Sequence, residues 1–121
     1  MALKKVLTIA GSDTSAGAGM QADLKTFQEL DTYGMVALAA IVTMDKETWS
    51  HDVTPIPFDV FNKQLETAIS IGPDAVKTGM LGTEEVIKRA GEAFEESGAK
   101  YFVVDPVMVC KGEDEVLNPG N

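Results

Sequence analysis

Lys5 to Gly11 (KVLTIAG) is a short, nearly continuous apolar run that ends in glycine. A strand with one wet face alternates polar and apolar residues, and this one does not. Both of its faces must be covered, as in the centre of a parallel sheet. Parallel neighbours need long crossovers, usually helices. The next segment has the required pattern: Met20, Leu24, Phe27 and Leu30 recur at helical spacing, with Gln21, Asp23, Lys25 and Glu29 between them. Gly34 is expected to end that helix.

The alternation continues. Met35 to Thr43 reads as a second buried strand, and residues 44–58, with Pro55 and Pro57, as a loop with a short edge strand. Phe61, Leu65, Ala68 and Ile69 mark one face of a second helix, which starts near Pro57-Phe58-Asp59 and stops at Gly72-Pro73. Asp74 to Lys77 is a short strand. Thr83 with Glu84 and Glu85 opens a third helix with Val86, Ile87, Ala90, Ala93 and Phe94 inward, and Gly98 caps it. Lys100 to Val104 is the last strand, ending at Asp105-Pro106. The expected fold is an α/β parallel-sheet, three-layer, Rossmann-like architecture.

With 121 residues there is room for one core. Residues 111–121 are polar loop residues with no helix after the last strand, so the chain is read as part of a longer domain. The balance of 10 Lys+Arg against 19 Asp+Glu gives a net charge of −9, which disfavours nucleic acid as a partner. No apolar run is long enough to span a membrane. A lone cysteine, Cys110, excludes an internal disulfide and an all-cysteine metal site, and a cytoplasmic setting is expected.

In open parallel sheets, ligands bind beyond the carboxyl ends of the strands. Three loops there stand out. Gly11 to Gly19 (GSDTSAGAG) permits close backbone approach, and its amides, at a helix N-terminus, favour an anion or a polar ligand atom. It is not a P-loop, since no Lys-Ser or Lys-Thr follows Gly17. A plain strand-to-helix turn is the alternative reading. Lys77 to Gly82 (KTGMLG) is the second loop, with packing of Met80 and Leu81 on the core as its alternative. Asp105 to Cys110 (DPVMVC) is the third: a carboxylate ending a buried strand suits a metal or phosphate site, or simply a turn before proline. Asp23 stands one turn past the glycines and serves the site or a solvated face. His51, the only histidine, is read as a surface residue away from the strand ends, and Trp49 beside it either anchors its loop or flanks a pocket.

Taken together, A-G-S-D-T-S-A-G-A-G-M-Q-A-D-L-K-T-F (10–27), K-T-G-M-L (77–81) and V-V-D-P-V-M (103–108) resemble the hydroxymethylpyrimidine kinase and pyridoxal kinase branch of the ribokinase-like family. The resemblance runs over essentially the whole chain. Members are about twice as long, which implies that residues 1–121 are the N-terminal, substrate-side part of a single kinase domain. It implies transfer of the ATP γ-phosphoryl group to a hydroxymethyl group on a heteroaromatic ring, with Mg²⁺. The family's anion hole and catalytic base lie in the C-terminal half, so the 121-residue piece is expected to be inactive alone. The resemblance further implies that Gly11, Ser12, Ala18 and Asp23 line the ring pocket, that Met80 and Val107 pack on the ring, and that Asp105 lies near the phosphates and the metal. A homodimer is expected.

One departure bears on the substrate. Pyrimidine kinases of the family carry Gln after the second strand, where its amide reads the aminopyrimidine. Here Met44 stands in that position. A thioether cannot supply an amide's paired donor and acceptor, so the expected substrate is pyridoxal or pyridoxine, in vitamin B6 salvage, with a hydroxymethylpyrimidine kinase of thiamin synthesis as the alternative. Cys110 is expected to act covalently, adding its thiol to the pyridoxal aldehyde as a reversible hemithioacetal, or else to be a buried small hydrophobe. Two other classes stay open. A dinucleotide-binding module would use Asp45 as its ribose acid, and a non-catalytic domain would bind a partner protein through its acidic face.

Overall fold

The computed structural model describes residues 3–105. Val107 and Cys110, expected to meet the ring, lie outside the described residues. Eight elements follow in order: β1 (Lys5–Asp13), α1 (Gly19–Glu29), β2 (Tyr33–Met44), β3 (His51–Pro55), α2 (Phe58–Ile71), β4 (Ala75–Thr78), α3 (Glu84–Ser97) and β5 (Tyr101–Val104). They form one sheet in the order β3-β2-β1-β4-β5. β1 is central as expected, parallel to both β2 and β4, and β5 is parallel to β4. Of these five strands only β3 runs antiparallel, as a hairpin partner of β2.

The faces of the sheet follow from side-chain alternation. Leu7 and Ile9 of β1, Met35, Ala37 and Ala39 of β2 and Val76 of β4 point one way. They meet Phe61, Leu65 and Ala68 of α2 and Val86, Ala90 and Ala93 of α3 in one buried cluster. Burying a Phe or Leu side chain there contributes about 1.5–3 kcal/mol. Thr8 points the other way, where α1 lies, and its hydroxyl donates to Asp23 at 2.6 Å. Helices therefore cover both faces, and the three-layer expectation is met. Thr83 caps α3 by accepting the Val86 N–H, and Gly72 and Gly98 end α2 and α3 in the left-handed conformation.

Several details depart from the sequence reading. Gly34 does not end α1. The helix stops at Glu29, Asp31 takes a left-handed φ of 57°, and both the N–H and the hydroxyl of Thr32 donate to Phe27 O. Gly34 already belongs to β2, where a Cβ would stand 2.8 Å from Leu24 Cδ2 and 3.0 Å from Phe27 Cδ2. Its role is to let α1 approach the sheet. Leu30, placed inward by periodicity, is 68% exposed because it falls after the helix end. Ile87, also expected inward, is 37% exposed.

The β1–β2 pairing also shifts register. Ala10 pairs with Leu38, but Gly11 pairs with Ala40, so Ala39 is an extra residue. Such a bulge turns the following residues. It lies where the two strands leave the core and enter the candidate site.

Candidate functional site

A cleft of about 600 Å³ opens at the carboxyl ends of β1, β2, β4 and β5, within the range of small-molecule sites. Four segments line it. Ala10, Gly11, Ser12 and Asp13 come from the end of β1, and Ser15, Gly17, Ala18 and Gly19 from the glycine-rich loop. Val42 and Met44 end β2, and Trp49 and His51 belong to the β2–β3 hairpin. Lys77, Gly79 and Met80 follow along β4, with Asp105 just beyond β5. Three loops far apart in sequence thus converge on one cavity, as the parallel topology requires. Of the expected site residues, Gly11, Ser12, Ala18, Met44, Met80 and Asp105 line it.

The glycine-rich loop does not offer its amides to a ligand anion. Asp13 takes them itself. Its Oδ1 accepts the Ser15 N–H at 2.9 Å and the Ser15 hydroxyl at 2.7 Å, and its Oδ2 accepts the Ala18 N–H at 2.8 Å. Burial acts to raise the Asp13 pKa, but the hydrogen bonds from Ser15, Ala18 and Gly17 outweigh it and hold the carboxyl below its ordinary value. The anion expected from the composition of the loop is therefore a side chain of the protein. Thr14 ties the same loop to β2, donating both its N–H and its hydroxyl to Val42 O. At the far end, Gly19 has a φ of 62°, and a Cβ there would lie 2.6 Å from Gly11 O. Only glycine lets α1 start so close to β1.

Asp23 is not on the cleft wall, contrary to expectation. Both of its oxygens lie 2.9 Å from Lys77 Nζ, while Oδ2 also accepts from the buried Thr8 hydroxyl. It is the ion-pair partner of Lys77, and Lys77 lines the cavity. Periodicity on α1 could not reveal this, because the partner comes 54 residues later.

His51 corrects a second expectation. The hairpin places it opposite Met44 in the β2–β3 register, and it lines the cleft instead of lying on a remote surface. Trp49 flanks the mouth at 59% exposure, with a left-handed φ of 62° and its N–H donating to Asp45 O. Asp45 itself is a turn former. Its Oδ1 accepts the Thr48 and Glu47 amides, which hold the carboxyl below its ordinary value. It does not line the cleft, which removes the acid a dinucleotide site would use.

Among the described residues, no three His, Cys, Asp or Glu side chains gather as a metal cluster, and no helix is long and apolar enough to cross a membrane. Asp105 is a single exposed carboxylate at the rim, held by its N–H donating to Thr78 O at 3.1 Å.

A model of the phosphomethylpyrimidine kinase family matches residues 13–121. The chain is 55% identical to the pyridoxine kinase of Bacillus subtilis (strain 168), over 98% of this chain and 45% of that protein. It is 45% identical to the hydroxymethylpyrimidine/phosphomethylpyrimidine kinase of the same organism, over 97% and 43%. It superposes with a TM-score of 0.92 and 82% identity on the pyridoxal kinase of Staphylococcus aureus in complex with AMP-PCP and pyridoxal, covering 99% of this chain and 42% of that one. The chain therefore spans less than half the length of each of these three relatives.

Proposed function

The chain belongs to the phosphomethylpyrimidine kinase family, and from that membership we propose that the protein containing it phosphorylates the hydroxymethyl group of pyridoxal or pyridoxine. The chain is then the substrate-side part of a longer kinase domain. Met44, Val42 and Met80 give the cleft an apolar wall that suits a flat heteroaromatic ring, and Ser12, His51 and Lys77 add polar groups for orientation. The observation that carries the reading is Met44 itself. It lines the cleft, where an amide would have been needed to read an aminopyrimidine. Phosphorylation of a hydroxymethylpyrimidine is the second reading, favoured by the identity to a kinase named for that substrate.

ATP with Mg²⁺ supplies the phosphoryl group and neutralises its charge when bound. Mg²⁺ is usually held by one or two carboxylates, with phosphate oxygens and waters completing the shell. The lone Asp105 carboxylate fits that pattern. The glycine-rich loop does not fit a triphosphate, because Asp13 already takes its amides. Gly11, Ser12, Ala18, Met44 and Met80 would bind the ring, with Asp105 on the phosphate side. Val107 packing on the ring, on the resemblance, and Cys110 bonding to the pyridoxal aldehyde, on thiol chemistry beside Lys111, complete the proposal.

The test is steady-state kinetics of the full-length protein with ATP and Mg²⁺. The expected result is a kcat/KM for pyridoxal or pyridoxine at least about tenfold above that for hydroxymethylpyrimidine, the factor one good polar contact supplies. A reversed preference would establish the second reading, and phosphorylation of neither substrate would overturn both.

A further inference from the structure

Gln21 has no part in the site as described, yet its side chain is tied at both ends. Its Oε1 accepts the backbone N–H of Asp13 at 2.9 Å, and its Nε2 donates to Ser12 Oγ at 2.7 Å. A backbone N–H can only donate, so the amide has one possible orientation, with oxygen towards Asp13 and nitrogen towards Ser12. Ser12 Oγ is therefore an acceptor in that contact. Its own proton goes to no acceptor among the described residues, and Ser12 lines the cleft.

We propose that Gln21 is a positioning residue that locks Ser12 as a hydrogen-bond donor to the ligand. The Ser12 subsite then selects an acceptor on the ring, either a phenolate-type oxygen or an unprotonated ring nitrogen. It disfavours a donor such as an exocyclic amino group, which could take only the second lone pair of Ser12 Oγ and would leave the Ser12 proton unpaired. This deepens the proposed function and rests on its reading of the cleft as a heteroaromatic site.

The decisive substitution is Gln21→Glu, which keeps the shape and reverses the polarity. One carboxylate oxygen still accepts the Asp13 N–H, but the other cannot donate. Ser12 must then give its proton to Glu and present lone pairs to the ligand. The experiment measures pyridoxine binding to the full-length protein by calorimetry, alongside two analogues: one lacking the ring 3-oxygen and one with the ring nitrogen replaced by C–H. Gln21→Glu and Ser12→Ala should each weaken pyridoxine by about tenfold, the loss of one hydrogen bond. The double variant should be no weaker than either single one, since both remove the same contact. For the analogue without the relevant acceptor, both losses should shrink to about twofold or less. Ser12→Ala adds no charge, so its ratio of losses between pyridoxine and the analogues isolates the hydrogen bond from the electrostatic effect of Glu.

Equal losses for pyridoxine and both analogues would show a merely structural role and overturn the proposal. So would unchanged pyridoxine affinity in both single variants, while leaving the kinase reading intact. Failure of the unaltered protein to bind pyridoxine would overturn the reading and the inference together. If Gln21→Glu does not fold, the Ser12→Ala comparison across the three ligands decides alone: selective loss supports the donor assignment, and uniform or absent loss overturns it.

Discussion

The side-chain amide of Gln64 meets both backbone polar groups of Leu38, accepting its N–H at 2.7 Å and donating to its carbonyl at 3.0 Å. Antiparallel pairing with β3 reaches only from Met44 to Ala40, which pairs with Pro55. Leu38 lies beyond that point and has no β3 residue opposite it. Gln64, reaching from α2, stands in for the missing strand beside the bulge that aims Val42 and Met44 at the cleft.

Gln64→Leu should therefore orphan two backbone groups in a half-buried place. The expected loss is about 1–3 kcal/mol of unfolding free energy, read from urea titration of the full-length protein. Pyridoxal affinity should fall as well, because the bulge loses its support. A stability change within about 0.5 kcal/mol, the ordinary range for surface substitutions, would contradict the strand-replacement role.

Asp13 links loop geometry to pH. Its folded pKa lies below the ordinary 3.8 because Ser15, Ala18 and Gly17 hydrogen-bond the carboxylate against the opposing effect of burial. A carboxyl with a depressed folded pKa stabilises the fold above its unfolded pKa, and that contribution is lost as pH falls through the folded value. Asp13→Asn should thus be less stable than the unaltered protein near neutral pH, and the gap should narrow below about pH 4. Chemical denaturation at neutral and acidic pH measures it, and a gap independent of pH would argue against the charge.

The pair of Asp23 and Lys77 should behave as a unit. Replacing either alone leaves a half-buried charge without its partner, and Asp23→Asn also weakens the acceptor of the buried Thr8 hydroxyl. A double-mutant cycle with Asp23→Asn and Lys77→Met should show a coupling of about 1–2 kcal/mol. Additive losses would mean that the two side chains are neighbours without a shared energy.

Met44→Gln should move substrate preference towards hydroxymethylpyrimidine by about tenfold in the ratio of kcat/KM values, the effect of one restored polar contact. The comparison is internal to one enzyme, so changes in overall folding cancel. An unmoved ratio would leave Met44 as a packing residue and remove the main support for a B6 substrate.

Much of the fold and of the site is legible in the sequence. The unbroken apolar run of β1 identified a central strand, and the alternation of strand and helix patterns led to the layered sheet. Three motifs point at one end of that sheet, and among the described residues each contributes to the cleft. What was not legible depends on partners distant in sequence. Gln21 and Gln64 look like ordinary polar residues on helix surfaces, and only the approach of a strand end gives each its partners. Lys77 hides the role of Asp23 in the same way. His51 reads as a remote surface residue in sequence, but a short hairpin folds it back beside Met44, a matter of register that no local pattern carries. Gly34 reads as a helix stop in sequence because glycine after an amphipathic run usually is one. Here the close approach of Leu24 and Phe27 demands it instead.

The carboxylate of Asp13 also bears on timing. A loop whose amides wait for a ligand tends to order only when the ligand arrives, and the entropy of that ordering is subtracted from the affinity. This loop carries its counterpart within its own sequence, so its shape exists beforehand. A small ring can then bind without a folding step at the glycines. The heat-capacity change on binding should report little more than the apolar surface of the ring itself, and the association rate should not be limited by loop rearrangement.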